Sequence, residues 1–473
     1  MKNTPKLLAL VLVLFLSACM LGPDYQRPEL ETPSHFRFDI ERTAETGELI
    51  WWELFDDPVL QSLITIALKE NKNVMIAASR MEEARAVLGF TKADLYPRVD
   101  IDATAARGDL AGRTQLDSVS NQFFVAPVLS WEIDFWGKFR RANEAAAAEM
   151  LATAYGLRTV QISLISEVAG TYFLLLDYKQ RLSVSQDTLS SRQTSQDIMQ
   201  KRFDQGYIPE LDLNQAQIQK EIAAAAIPVY ERLIAKTENA LGTLLGRLPG
   251  KLTTGADLAD MPMPPDVPPG LSSSLLERRP DIIQAEYILQ AQTARIGVAE
   301  AMRLPSLSLT GILGVASDEL SSLTDGGPAW NLTGSLFGPL FNAGRNKRRV
   351  EIEEERTRQA LYVYEDTVLL AFREVEDALV EVETYKRQLT AVEKKLAAAE
   401  NAATLSRERY DQGVTSYLEV LDTERTLFNV ELELSQLLQE FRAAHVKLYK
   451  ALGGGWISEA EMEEAHEDIP RCR

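Results

Sequence analysis

The chain has 473 residues, 45% hydrophobic and 25% charged, a globular composition that supplies apolar material for large cores and excludes intrinsic disorder. Its 50 basic against 69 acidic residues leave a net charge of −19, the opposite of the basic footprint that nucleic-acid binding needs, so no nucleic-acid partner is expected. Two cysteines cannot build a disulfide framework, and three scattered histidines, His35, His445 and His466, argue against a catalytic metal; none is expected.

Residues 1–18 read as an export signal. Lys2 and Lys6 precede the apolar run Leu7 to Leu16, too short to span a membrane in the mature chain, and the small residues Ser17 and Ala18 lead into Cys19. A cleavage site ending at cysteine resembles the bacterial lipobox; the plainer alternative is an ordinary signal peptide with an incidental cysteine. The lipobox implies a covalent lipid on Cys19, diacylglycerol and N-acyl, and Met20 in place of aspartate implies sorting to the outer membrane. No other cofactor is expected. A lipid-anchored extended segment, 19–55, follows.

Prolines then measure the helices. None occurs between Pro127 and Pro209 or between Pro339 and Pro470, so 137–202 and 344–411 can each run as one helix on the order of 100 Å long. Leu157, Val160, Leu164, Val168 and Leu175 keep helical spacing in the first window, as do Leu361, Tyr364, Val368, Val375, Leu379 and Val382 in the second. Glu354 with Arg358 and Glu383 with Arg387 are placed as supporting pairs. These seams alone describe a solvated helical bundle. No segment beyond the signal is expected to cross a membrane as a helix.

The chain is duplicated. Phe203-Asp204-Gln205-Gly206 returns as Tyr410-Asp411-Gln412-Gly413, Tyr178-Lys179 as Tyr385-Lys386, Val168 as Val375 and Gly137 as Gly344, all at an offset of 207. Upstream, Leu95-Tyr96-Pro97 falls on Arg303-Leu304-Pro305 and Asn73 on Asp281 at 208. Two repeats result, 56–260 and 272–453, each with a helix, two strands, a long helix and a further helix. A proline-rich linker, 261–271, separates them, and 454–473 is a C-terminal tail.

The strands alternate. Val99, Ile101, Ala103 and Ala105 are interleaved with Asp100, Asp102 and Thr104, and Phe123, Val125, Leu129, Trp131 and Ile133 form the partner run. Leu307, Leu309, Leu313 and Val315, then Trp330, Leu332 and Leu336, repeat the design. Such alternation suits a transmembrane β-barrel, or else a soluble four-stranded sheet. Four strands fall short of the roughly 8 that close a barrel, so a barrel requires several copies of the chain, and three would supply twelve strands.

Several motifs carry a resemblance. Asp24-Tyr25-Gln26-Arg27-Pro28, Trp51-Trp52 with Phe55 and Asp57-Pro58, Leu275-Leu276-Glu277-Arg278-Arg279-Pro280-Asp281-Ile282, Gly338-Pro339-Leu340-Phe341 with Gly344, and Leu452-Gly453-Gly454-Gly455-Trp456 together resemble the TolC-type outer-membrane factors of the OprM/NodT lipoprotein branch. The resemblance spans nearly the whole mature chain. It implies a mainly α fold with a membrane β-barrel: a homotrimer with a long-helix periplasmic α-barrel and four strands per chain in a 12-stranded barrel. It also implies an exit duct for tripartite efflux pumps that works with a periplasmic adaptor, an inner-membrane transporter and outer-membrane lipid.

Gly206 and Gly413 each close a long helix, and Pro209 and Ser416 open the next; the resemblance implies that these turns lie at the periplasmic end, facing the adaptor. Asp212 and Glu419 are equivalent at 207, and Asp422 lies one turn beyond Glu419; three copies would project these carboxylates as rings that favour cations. The resemblance places Glu419 and Asp422 at a constriction. Arg409 and Tyr410 are candidates for bonds that hold the tip shut, and Thr415 stands where some relatives carry a charge. A solvated helix face is the plain alternative for each.

Enzymatic chemistry is not expected. There is no G-x-S-x-G, Walker A or H-E-x-x-H, and the Gly453–Gly455 run lacks a following lysine. Two function classes remain: a passive outer-membrane export duct, and a non-conducting structural envelope lipoprotein.

Overall fold

The computed structural model describes residues 20–30, 33, 36–38, 55–108, 120–255, 257–263, 278–325 and 327–454. Cys19, Trp51-Trp52, most of the proline-rich linker, Trp456 and Cys472 lie outside them.

Seven long helices and four strands follow in the order α1 (Pro58–Glu70), α2 (Lys72–Ala93), β1 (Arg98–Gly108), β2 (Ser120–Ile133), α3 (Lys138–Asp204), α4 (Glu210–Leu244), α5 (Pro280–Ala301), β3 (Ser306–Ser317), β4 (Pro328–Phe337), α6 (Arg345–Asp411) and α7 (Tyr417–Ala451). A 3-10 turn, Leu320–Ser322, joins β3 to β4. The lengths duplicate residue for residue. α3 and α6 each have 67 residues, α4 and α7 each 35, and α2 and α5 each 22. Their ends stand 207 or 208 apart, the offsets carried by the sequence motifs.

The chain forms two compact units. The first takes its residues from within 1–29, 80–154 and 284–365, and the second from within 30–79, 155–283 and 366–473.

The first unit holds an antiparallel sheet in the order β1-β2-β3-β4. Register places Val99 opposite Leu129, Trp131 opposite Leu309 and Leu307 opposite Leu336 on one face. Thr310 opposite Thr333, and Ser308 bonded to Ser335 at 2.7 Å, lie on the other. In the same unit Arg141, buried at the start of α3, donates to the Leu21 and Gly22 carbonyls and pairs with Asp24 at 2.7 Å and Glu144 at 2.8 Å. Glu286 on α5 accepts from the Tyr25 hydroxyl at 3.1 Å and pairs with Arg27 at 2.8 Å. The Asp24–Arg27 motif is therefore a strap that fastens the N-terminal segment.

The second unit contains the main core, with Phe55, Leu60, Ile64, Val168, Tyr172, Phe173, Leu241, Val375, Leu379 and Phe441 among its buried side chains. Asp57 caps α1, accepting from the Val59 and Leu60 amides, and also accepts from the Tyr172 hydroxyl at 2.6 Å. That hydroxyl in turn accepts from the Gly255 amide at 2.9 Å. Burial pushes the Tyr172 phenol well up, and its bond to Asp57 adds to the shift.

Two expectations need correction. α3 does contain a window of 18 residues apolar enough to cross a membrane, with mean hydropathy 1.4 and half of it buried. Its Leu164, Ile165, Val168, Ala169, Phe173 and Leu175 are core side chains of the second unit, which accounts for their apolarity without a bilayer. Arg358 takes Glu355 at 2.7 Å rather than Glu354, whereas Glu383 does pair with Arg387, at 3.4 Å.

Candidate functional site

Two places in the chain are built for work: the helix turns in the second unit and the sheet in the first. At each turn a glycine takes a positive φ, 75° at Gly206 and 73° at Gly413, a region that costs a side chain strain. The Gly206 amide donates to the Phe203 carbonyl at 2.8 Å and Tyr207 to Arg202 at 2.9 Å; Gly413 and Val414 repeat the pair to Tyr410 and Arg409 at 2.9 Å each. This is the Schellman closure, which satisfies the last carbonyls of α3 and α6 and reverses the chain into α4 and α7.

Behind the turns lies a small core of Met199, Ala216, Tyr417, Val420 and Leu421, with Ile208, Leu213 and Tyr410 packed on it. Tyr410 and Tyr417 stack with centroids 5.3 Å apart. Burial raises the Tyr417 phenol to about 12, helped by the charge of Glu424.

The polar residues are arranged around that core. Tyr410 accepts from the Arg202 guanidinium at 3.0 Å, and the same guanidinium lies 5.3 Å from its ring centroid and 3.8 Å from Asp411. Arg409 pairs with Glu419 at 3.7 Å, and the Thr415 hydroxyl donates to the same carboxylate. Asp422 pairs with Arg425 on its own helix and lines a groove of about 160 Å³ with Gln215, Ile218, Gln219, Leu418 and Leu421. Asp212 sits in the first turn of α4, with no ion-pair partner among the described residues. Glu419, Thr415 and Arg409 thus come together, as do Tyr410 and Arg202, while Asp422 keeps a separate neighbour.

Sequence reasoning missed Arg202. Its signal was present, because Arg202 is the 207-offset counterpart of Arg409. The network one layer further from the turns was missed as well: Arg407 reaches Glu424 and Ser195, and Arg192 donates to the Gln219 carbonyl at 2.7 Å while covering the Phe428 ring. Burial lowers the Arg192 pKa.

In the sheet, β1 and β4 each present an edge with no partner strand among the described residues. Val99, Ile101, Trp330, Leu332 and Leu336 are all more than 60% exposed, an apolar face that water does not favour and a bilayer does.

The comparisons agree with this geometry. The family model described as outer membrane efflux protein matches twice, over 63–247 and 271–454. The chain belongs to the outer membrane efflux protein family. This efflux protein is 35% identical over 461 residues to the cation efflux system protein CusC of Escherichia coli O157:H7, covering 95% of this chain and 99% of that one. It is 36% identical over 466 residues to the solvent efflux pump outer membrane protein SrpC of Pseudomonas putida, covering 95% and 98%. The solved outer-membrane channel OprN matches with a TM-score of 0.84 at 30% identity, covering 93% of this chain and all of that one. The efflux protein is accordingly an exit duct of the outer membrane, mainly α with strands that supply part of a membrane barrel. Its family and relatives are channel and transport components rather than enzymes.

Proposed function

We propose that the protein works as a homotrimer, anchored by lipid on Cys19, that forms the exit duct of a tripartite efflux pump. Two glycine turns, each followed within a helical turn or two by carboxylates, carry the reading. A periplasmic adaptor engages the turns at Gly206, Gly413 and Thr415, an inner-membrane transporter supplies the cargo, and Glu419, Asp422 and Asp212 ring the closed end. Arg409 and Tyr410, with Arg202, hold that end shut. The organisation that goes with this function is a signal, an anchored segment, two structural repeats about a linker, and a tail.

Relatives of nearly equal identity are named for cation efflux and for solvent efflux. That supports a duct that does not itself choose its cargo. A non-conducting brace would have no use for a sheet with an exposed apolar face and two open edges.

Neutralising Glu419→Gln with Asp422→Asn should lower cation preference and block by multivalent cations in planar bilayers, with trimer assembly retained because neither the sheet nor the helix seams are touched. Unchanged selectivity would move the constriction to Asp212, and absent conductance in the wild type would support the brace. Intact mass of the purified protein checks the anchor: an unmodified Cys19 removes it.

A further inference from the structure

At the foot of the sheet lies a cavity whose charges do not balance. Its volume is about 220 Å³, and it sits within the first unit, where β2 ends, β3 begins and β4 ends. Three of its four strand residues, Glu132, Ser306 and Phe337, belong to the polar face: Glu132 is opposite Ser308, which is bonded to Ser335, and Ser306, two positions before Ser308, is opposite Phe337.

Both carboxylates on the wall already have a cation. Glu132 takes Lys138 at 2.7 Å, and Asp134 takes Arg140 at 3.1 Å while accepting from the Phe139 and Arg140 amides. Arg349 is the cation left over. It is partly buried, its guanidinium donates to the Met302 sulfur at 3.1 Å, a weak acceptor, and no carboxylate pairs with it among the described residues. The duplication shows where the excess charge came from. At offset 207, Arg349 stands where the first copy has Ala142, and Pro339 and Phe341 stand where it has Glu132 and Asp134. Copy two has lost two acids and gained a cation at the start of α6, which stability alone disfavours, because a partly buried guanidinium without a carboxylate carries its desolvation cost unrelieved. The rest of the wall is aromatic. Phe135 and Trp136 meet edge-on with centroids 4.7 Å apart, the Trp136 indole is fixed by its bond to the Pro305 carbonyl at 2.8 Å, and Phe337 is 78% exposed.

We propose that this cavity binds a short single-chain amphiphilic anion, its carboxylate or sulfate held by Arg349 and its chain laid against Phe135, Trp136 and Phe337. A cation would be repelled by Arg349, and a neutral chain would bury the guanidinium without an acceptor. The volume, below the roughly 300–1,000 Å³ that drug-sized ligands fill, has no room for a lipid with two chains. Because three strand residues of the wall share the polar face, the anion reaches the cavity from the inside of the duct rather than from the bilayer, a route that rests on the exit-duct reading.

Octanoate, octan-1-ol and octylamine are the probes, titrated by NMR line broadening against the full-length protein in zwitterionic nanodiscs, with empty discs subtracted. Octanoate should bind at least about tenfold tighter than either of the others. Arg349→Gln should remove that margin, and Arg349→Lys should keep most of it because a cation remains. Arg348→Gln, at a residue that pairs with Glu351 and does not line the cavity, should leave octanoate affinity within about twofold. In crystals soaked with 8-bromooctanoate, anomalous scattering should place the bromine beside Trp136 and Phe337. Equal affinities for octanoate and octan-1-ol, an unchanged octanoate affinity in Arg349→Gln, or bromine only on the apolar face of the sheet overturns the site. In planar bilayers octanoate should reduce the wild-type current, and Arg349→Gln should need about tenfold more for the same reduction. Binding with no effect on the current overturns the route from inside. Protein that binds octanoate at Arg349 but conducts no current overturns the exit duct and leaves the site standing.

Discussion

Arg202 is where the proposed lock is most open to test, because it touches both Tyr410 and Asp411 from the neighbouring turn. Tyr410→Phe removes the hydroxyl that accepts from the guanidinium at 3.0 Å and donates weakly to the Met199 sulfur at 3.6 Å. A bond to a charged group contributes about 1.5–3 kcal/mol when desolvated, and with the Arg202 side chain 37% exposed, screening leaves about 1 kcal/mol. Arg202→Ala loses that bond, a ring contact of about 0.5 kcal/mol and an exposed pair to Asp411 of about 0.3 kcal/mol, roughly 2 kcal/mol together. At about 1.4 kcal/mol per tenfold, one copy would shift its closed-to-open equilibrium about 5-fold in the first variant and about 25-fold in the second. Concerted opening of three copies multiplies the factors, to on the order of 100-fold and 10⁴-fold. Arg409→Ala should fall below both, since its pair with Glu419 is 3.7 Å long and half exposed. Single-channel recording without adaptor reads the ranking as open probability. Wild-type gating in Arg202→Ala, or equal opening in Tyr410→Phe and Arg202→Ala, would refute the assignment of the lock to this contact.

Arg279 is buried and donates to the Ala451 carbonyl, Asp281 and Glu374, so Arg279→Ala should cost about 2–3 kcal/mol in unfolding free energy; the partly exposed carboxylates keep it below a fully buried pair. Asn71, its neutral counterpart, bonds the Leu244 carbonyl and the Asn73 and Val74 amides, and Asn71→Ala should cost about 1–2 kcal/mol; the reverse order of losses would contradict the clasp. The Tyr417 phenol, raised from 10.0 to about 12, adds stability that is complete below pH 10 and is lost as pH rises through about 12. Wild type should therefore lose on the order of 2–3 kcal/mol more than Tyr417→Phe across that window, and parallel pH profiles would remove the effect. Arg442 donates to the Leu438 and Met261 carbonyls, and burial alone lowers it to about 10; Arg442→Met should cost less than about 1 kcal/mol or stabilise, measured by thermal melting.

What the sequence showed plainly were the features that prolines, glycines and alternation enforce. Pro127, Pro209 and Pro339 bound the only stretches where helices of 67 residues could form, and Gly206 and Gly413 end both helices where a side chain would be strained. Motifs were legible as motifs, but their purposes were not. Asp57 beside Pro58 reads as a helix cap, yet its bond to Tyr172 spans 115 positions, and no local pattern announces that distance. Arg279 in its Arg-Arg-Pro-Asp context looks exposed by composition, and is instead buried by the end of a helix 172 positions away. The pairing of Glu419 with Arg409 was within reach of sequence logic, since both flank one turn. Arg202 was in view as the 207-offset counterpart of Arg409, but its partner was not, because the bond to Tyr410 crosses between the repeats.

The two copies diverge where one chain must do what a perfect repeat would not. Phe203 and Tyr410 occupy one position, but only the second has a hydroxyl, so Arg202 bonds across to copy two while its counterpart Arg409 stays within copy two and holds Glu419. Asn71 and Arg279 clasp equivalent helix ends, that of α4 and that of α7, the first as a neutral amide and the second as a cation that needs Asp281 and Glu374. The strap of residues 20–27 covers the Gly297 face of α5 and leaves the equivalent Gly89 on α2 bare. An exact duplication would distribute tip bonds evenly and give every seam the same cover. These substitutions instead concentrate polar bonding at the second turn, where the proposed lock would be held by contacts weak enough to break. They also leave the Gly89 face of α2 uncovered in the single chain. Removing a tip bond should cost about 1 kcal/mol or less, within reach of adaptor binding in the proposed pump, while removing the clasps at the ends of α4 and α7 should cost about 1–3 kcal/mol.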